Sequence, residues 1–563
     1  MNTAPTRTEA FHLLRARLDA VRPRRRDLRA MLRTPRGDVV AGITVGVVAL
    51  PLALAFGIAS GLGATAGLVT AVVAGTVAAL FGGSYVQVSG PTGAMTVVLV
   101  PIVAEHGAEG VAVVGLMAGV LLVAMGLAGA GRYVRFIPLP VIEGFTLGIA
   151  ALIALQQVPA ALGTTGKHEH VVVSAVGAVL DWFAAPDLAA LALSAGVAVM
   201  ILLGSRLRPA VPVALLAVVA ATVVTRLADL PVATIGALPS HLFSPGVPSV
   251  GWNELRVLVA PAVAVAALAA LESLLSATVA DAMSVSTRHD PDRELFGQGL
   301  ANLVSPLFGG MPATGAIART AVNVRSGART RAAAAAHAVV LLAVILAAAG
   351  PVAHIPLAAL SGVLMVTAVR MVHVATARSI LRSTRADAAA FLVTAVVTVS
   401  VDLIVAVGIG VVVAGAFALR GLARAAGVAR EPVPGEPQAG DEQIAVVRID
   451  GPLFFAAADR VLDEATGLDG VTVVVLRMSQ LELVDATGAH VLSEIVQRLE
   501  ARGVTVLIKG VRDGHVELFR TVGVLDALRH HKHLFDDLPA AVAHARDHVR
   551  RGDLRLADDA RAA

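Results

Sequence analysis

The sequence predicts a polytopic α-helical membrane protein with a small α/β domain appended at its C-terminal end. Three observations predict this class. Only 15% of the 563 residues are charged, against about 25% in soluble chains. The deficit is local: 33 Asp, Glu, Lys and Arg residues occupy the 382 positions from Asp38 to Leu419, whereas the 136 positions from Val428 to Ala563 hold 38. Apolar runs of about 20 residues, enough to cross a ~30 Å hydrocarbon core, recur through the first region.

Spans are expected near residues 38–60, 62–81, 86–104, 109–130, 136–160, 187–204 and 209–228. A second group is expected near 254–283, 294–308, 312–325, 332–350, 355–371, 386–401 and 402–421. The stretch 171–183 reads as a helix lying along the membrane. Fourteen spans in two groups of seven place the halves in opposite orientations, the arrangement of an inverted repeat.

The arginines support this parity. Arg132 and Arg135, Arg206 and Arg208, Arg288 and Arg293, then Arg325, Arg329 and Arg331 all fall in even-numbered loops, as do Arg370, Arg378, Arg382 and Arg385. Lys167, Arg226 and Arg256 are the main exceptions. The positive-inside rule then puts both termini in the cytoplasm of a plasma (inner) membrane protein. Seven arginines between Arg22 and Arg36 precede the first span, which is too long for a secretory signal core. Residues 11–18 read as a short basic amphipathic helix or a solvated tail.

Composition also excludes several classes. Aromatic residues make up 3% of the chain, too few for a base-stacking surface, so no nucleic-acid partner is expected. The absence of cysteine removes thiolate metal sites and Cys nucleophiles. There is no Walker-type phosphate loop, which argues against an ATP-driven pump, and no enzyme is expected. His530, His531 and His533 lack metal-ligand spacing and read as a solvated tail, so no metal is expected.

The third span of each half carries the unusual chemistry. Phe81-Gly82-Gly83 precedes Thr92-Gly93-Ala94, and Phe308-Gly309-Gly310 precedes Thr314-Gly315-Ala316. Val86 to Gly93 and Met311 to Gly315 are poor helix openings, because Pro91 and Pro312 cannot donate an N–H and Gly weakens a helix interior. Irregular backbone at membrane depth is tolerated only where protein buries it or it lines a cavity. A short extended piece followed by a half-helix satisfies that condition, and each half-helix aims a positive end at mid-membrane. Two such ends facing each other form an anion site; two ordinary kinked helices are the alternative.

Pro432, Pro434, Gly435, Pro437 and Gly440 mark a linker, taken as residues 426–440. The expected divisions are an N-terminal segment at 1–37, a transmembrane domain at 38–425, an α/β domain at 441–550 and a tail at 551–563. Strands are expected at 444–450, 453–455, 471–476 and 504–509, and helices near 485–501, 512–522 and 539–549.

These residues resemble the sulfate permease family. The resemblance runs from Asp38 to about Val549 and rests on Leu50-Pro51-Leu52-Ala53-Leu54-Ala55-Phe56, Gln87 to Gly93, Leu271 to Ser276, and Gly315 to Asn323. The C-terminal part is similar to the domain shared by sulfate transporters and anti-sigma-factor antagonists (STAS), through Val474 to Leu476 and Asp485 to Gly488. The resemblance implies a core domain (spans one to four and eight to eleven) sliding against a gate domain, in a homodimer. It implies secondary active transport of a small inorganic or organic anion such as sulfate, bicarbonate or a C4-dicarboxylate.

The same resemblance assigns Phe56, Thr92 and Ala94 to the lining of the substrate site. Gly90, Gly93, Gly315, Ala316, Ile317 and Ala318 are assigned to anion binding as well, with the N–H groups after Gly90 and Gly315 as donors. Leu52 stands where many relatives carry a site Gln.

Glu272 lies near the middle of the eighth span, where an ionisable group costs about 2.5–3.5 kcal/mol on insertion scales. It is the expected coupling residue for H⁺ or Na⁺, with Ser276 one turn away on the same face. Arg319 offers oxyanions a planar fork. A static Glu272–Arg319 ion pair is the alternative for both residues. Some sodium-dependent bicarbonate members of the family differ at the Arg319 position, which favours H⁺.

Glu143, Gln156, Gln157, His337 and Asp402 are expected to be satisfied helix-to-helix contacts. Asp485 is expected to cap the following helix, and Ala486 replaces the Ser that is phosphorylated in anti-sigma antagonists. That leaves packing, dimer support or docking of a cytoplasmic protein partner as roles for the α/β domain. An uncoupled anion channel, a membrane sensor and a nucleobase carrier are the competing functions.

Overall fold

The computed structural model describes residues 35–164, 170–208, 211–237, 251–284, 288–401 and 403–562, with positions 31, 245, 246 and 248. The expected helix at 11–18, the arginines from Arg22 to Arg33, Lys167 and Asp402 lie outside the described residues. The chain forms two compact units, Met1–Val411 and Val412–Ala563.

The first unit opens with α1 (Pro35–Ala59) and α2 (Ala64–Phe81), followed by a two-residue strand β1 (Ser89–Gly90) and α3 (Gly93–Ala128). It continues through α4 (Leu139–Leu162), α5 (Val171–Ala184), α6 (Leu188–Leu207) and α7 (Val213–Leu227). Its second half repeats the pattern: α8 (Trp252–Met283), α9 (Pro291–Leu307), strand β2 (Thr314–Gly315) and α10 (Ile317–Arg325). Then come α11 (Arg331–Ala353), α12 (Leu357–Met371), α13 (Val374–Arg382), α14 (Arg385–Ser400) and α15 (Leu403–Ala425), the last of which carries the chain past Val411 into the second unit.

Among the described residues, nine helical stretches are long and apolar enough to cross a membrane. Two expected spans, 86–104 and 109–130, run together as α3. They meet at Gly107, whose φ of 65° and ψ of −167° break the helix without ending it. The expected span 312–325 is helical only from Ile317, because β2 occupies its start. Residues 171–184 form a 14-residue helix, too short to span.

Two packing groups emerge. In one, α9 lies against α2 and α3, α8 against α3, and α11 against α1. In the other, α12 and α14 lie against α4, and α12 against α6. Small residues set these approaches, as expected where lipid removes the hydrophobic drive between helices. A Cβ on Gly119 would stand 2.9 Å from the carbonyl of Gly299, and one on Gly144 would stand 2.4 Å from the carbonyl of Phe391.

The second unit is a six-stranded sheet ordered β3-β4-β5-β7-β8, with β6 also on β4. Its strands are β3 (Gly427–Glu431), β4 (Ile444–Leu453), β5 (Val473–Arg477), β6 (Leu481–Val484), β7 (Thr505–Lys509) and β8 (Leu534–Phe535). All pairs are parallel except β3 with β4. Alternation along the strands divides the core. Ala445, Val447 and Ile449 face α16 (Ala458–Thr466), α17 (Ala486–Ala501) and α18 (Asp513–Val522). Ile444 and Val446 face α19 (Leu538–Ala562).

Three sequence expectations are corrected here. The linker cannot begin at 426, because Gly427–Glu431 pairs antiparallel with Glu431 opposite Val446. Residues 444–453 form one strand rather than two, with an irregularity between Gly451 and Pro452 where β6 joins. His533 is not in a solvated tail: it is 5% exposed and its ring packs on His544 and His548 of α19. Asp485 caps α17 as expected, its Oδ1 accepting from the Gly488 N–H at 2.7 Å.

Candidate functional site

The two interrupted segments meet. Ser89 pairs with Gly315 and Gly90 with Thr314 in an antiparallel two-stranded ribbon buried in the first unit. Each strand leads within a few residues into a helix head, α3 from one side and α10 from the other. Extended backbone at this depth survives because side chains and neighbouring backbone replace the missing helical hydrogen bonds. The Val88 N–H donates to Thr320 Oγ1 at 3.0 Å, and the Ala316 N–H to the Val88 carbonyl at 2.9 Å. Asn302 brackets Ala313, accepting from its N–H and donating to its carbonyl, both at 2.9 Å. Asn323 donates to the Val86 carbonyl at 2.7 Å.

The Phe81-Gly82-Gly83 turn is held by Glu294, which accepts from the N–H groups of Gly83 and Ser84 at 2.7 and 3.0 Å. Gln298 links Glu294 onward to Ser89 Oγ at 2.6 Å.

Glu272 sits beside the ribbon. Its Oε2 accepts hydrogen bonds from Thr92 at 2.7 Å and from Thr314 at 2.6 Å. Those two hydroxyls are 3.2 Å apart, and Thr92 also caps α3 by accepting from the Met95 N–H. The next residue, Ser273, accepts from the Gly315 N–H at 3.0 Å. Ser276, one turn on, donates to Thr320 at 3.1 Å, so it anchors α10 to α8 and stays off the carboxylate.

Arg319, 2% exposed, donates through Nη2 to the Pro91 carbonyl. Its Nη1 has no hydrogen-bond partner and lies where a Cβ on Gly90 would be only 2.6 Å away. The Glu272–Arg319 ion pair considered from the sequence is absent: hydroxyls hold the carboxylate, and a backbone carbonyl holds the guanidinium.

The expected site residues divide by position. Phe56, Gly90, Thr92, Gly93, Ala94, Gly315, Ala316 and Arg319 are buried around the ribbon, and Ile317 is partly buried. Phe56 touches the third span directly, since a Cβ on Gly93 would be 3.2 Å from its ring. Ala318 is exposed, because its place on the first turn of α10 turns its methyl outward. The N–H after Gly315 is engaged by Val88, so the donors open at this end are those of the first turn of α10, which has no side-chain cap.

Sequence reading missed Thr314, Ser273 and Thr320 as contacts. It also missed Gln87, whose amide lies unpartnered beside Gly315. The hydroxyl after Pro312-Ala313 was the available signal. Of the polar residues expected to be satisfied between helices, Glu143 meets His373 at 3.3 Å. His337 is fully buried with neither ring nitrogen partnered, contrary to expectation. A cavity of about 730 Å³ opens between α1 and α4, lined by Ala55, Ile58, Ala59, Gln156 and Leu360; Thr92, Glu272 and Arg319 do not line it.

A profile of the sulfate permease family matches residues 36–394, and one of the STAS domain matches residues 438–541. The chain belongs to the sulfate permease family. It is 38% identical over 512 residues to the Bacillus subtilis protein YvdB, named for sulfate transport, covering 89% of this chain and 96% of that one. It is 33% identical over 511 residues to the bicarbonate transporter BicA of Synechocystis, covering 85% and 88%.

The solved transmembrane domain of a cyanobacterial BicA superposes with a TM-score of 0.60 at 33% identity, over 68% of this chain and 98% of that one. Murine Slc26a9, an anion transporter solved in its inward-facing state, superposes with a TM-score of 0.80 over 97% of this chain and 96% of its own. Its 17% identity speaks to fold alone. Sulfate permease relatives are membrane transporters and not enzymes, so this member is a transporter of the same membrane class.

Proposed function

We propose that this sulfate permease is a secondary active transporter of a small anion, driven by H⁺ that binds Glu272. The observation that carries the reading is the shared carboxylate oxygen: one Glu272 oxygen accepts from both broken segments, through Thr92 and Thr314. Protonation turns that acceptor into a donor and reverses one of the two bonds. Proton binding and the geometry of the anion site are therefore the same event.

Glu272 Oε2 is reached directly by both hydroxyls, at 2.6 and 2.7 Å, so a proton added to it changes both contacts. The anion would lie between the heads of α3 and α10, with the free Nη1 of Arg319 as counter-charge.

Burial of Thr92, Thr314 and Arg319 supports alternating access by motion of one packing group against the other. The antiparallel ribbon supports an inverted repeat, since a two-fold axis between two copies of a segment makes them run antiparallel. Sulfate and bicarbonate are the leading substrates, from the names of the relatives, with C4-dicarboxylates next. Homodimer assembly, cytoplasmic termini in the plasma membrane, and a cytoplasmic partner for the STAS domain belong to the same reading.

The test is uptake of labelled sulfate, bicarbonate and fumarate into proteoliposomes under an imposed pH or Na⁺ gradient. Accumulation above electrochemical equilibrium, driven by the pH gradient alone, is expected for one of them. Flux that never exceeds equilibrium replaces the carrier with a channel, and a requirement for Na⁺ replaces the coupling ion.

A further inference from the structure

Three histidines of the STAS domain, His533, His544 and His548, come together in one cluster. His544 and His548 stand four residues apart on α19, so both rings rise from one face of the helix. His533, in the short turn before β8, meets them there. The ring centroids lie 5.6 Å (His533–His544), 5.4 Å (His533–His548) and 4.9 Å (His544–His548) apart. One ligating nitrogen from each ring falls within 4.8 Å of the others.

The donor set is prepared in two ways. Nδ1 of His533 is left without a partner although the residue is 95% buried. Nε2 of His544 is likewise buried and unpartnered.

We propose that His533, His544 and His548 form a three-histidine site for a divalent transition metal, of which Zn²⁺ is the best match. Imidazole nitrogens bind Zn²⁺ at about 2.0–2.1 Å, which for tetrahedral geometry sets them roughly 3.4 Å apart. Small rotations about the His side-chain bonds close the remaining gap from 4.8 Å. The fourth position is open to water. The metal would staple α19 to the turn leading into β8, locking the C-terminal helix against the sheet.

The test uses the untagged full-length chain in detergent, stripped with chelator and titrated with Zn²⁺ alone or Co²⁺ alone. Expected is one equivalent of Zn²⁺ per chain that His544→Ala/His548→Ala does not bind, with a higher Tm in the wild type only. Co²⁺ should give the intense visible bands of a tetrahedral site. Equal Zn²⁺ stoichiometry in wild type and variant overturns the proposal. Should the variant fail to fold, the wild-type Co²⁺ spectrum decides alone: weak octahedral bands, or none, overturn it.

Discussion

The hydroxyl of Thr92, on one broken segment, donates at 2.7 Å to the same Glu272 oxygen that Thr314, on the other, reaches at 2.6 Å. A neutral isostere keeps the acceptor and removes the titration. Glu272→Gln is therefore expected to fold and insert normally. It should retain anion exchange down a gradient and lose pH-driven accumulation by at least about tenfold, the equivalent of ~1.4 kcal/mol of coupling. Counterflow and gradient-driven uptake in the same proteoliposomes separate the two. Wild-type accumulation in the variant removes Glu272 from the coupling step.

Arg319 has one nitrogen on the Pro91 carbonyl and one free. Arg319→Lys keeps a cation but loses the fork, so anion binding should weaken by the worth of a charge-assisted hydrogen bond, about 1.5–3 kcal/mol. The half-saturation concentration should rise roughly 10- to 100-fold with expression unchanged. Arg319→Ala should be worse. Equal losses of transport and of folded protein would make the residue structural.

Gln87 and Gly315 occupy each other's space. A Cβ at position 315 would lie 1.8 Å from Gln87 Nε2 and 3.0 Å from the Ser273 Cα. Gly315→Ala should cost about 1–3 kcal/mol of overpacking and disturb the ribbon beside Glu272. Adding Gln87→Ala should recover part of the lost stability and transport, and a double-mutant cycle on Tm and uptake measures the coupling. Additive losses would mean that the clash is relieved elsewhere.

In the STAS domain, Asp485 accepts from Gly488 and from Phe455, at 2.7 and 3.3 Å. Asp485→Ala should destabilise this unit by about 1 kcal/mol, whereas Asp485→Asn should be close to neutral. Thermal unfolding followed in the full-length chain distinguishes them. The anion half-saturation concentration should not move in either variant.

Much of the architecture was legible because lipid is an unforgiving solvent. A segment that crosses it must be apolar and must satisfy its own backbone, so hydropathy located the helices and proline with glycine located the breaks. Glu272 stood out because an ionisable group is costly in an apolar span, and the structure places it against both broken segments. The two spans expected around Gly107 are one kinked helix in the structure, because one residue with φ 65° bends the chain without ending the helix. Strand β3 was hidden among prolines, since only its pairing with β4 makes Gly427–Glu431 a strand.

By itself, the order of residues determined which segments enter the membrane, where two of them break, and which charge they carry into it. Each of these is a property of a local stretch meeting its solvent. Only the tertiary structure decided that Thr314 rather than Arg319 meets Glu272, that Gln87 fills the space glycine leaves at 315, and that His533 joins His544 and His548. Those pairings join residues far apart in the chain, and packing between elements, which no local pattern encodes, selects them.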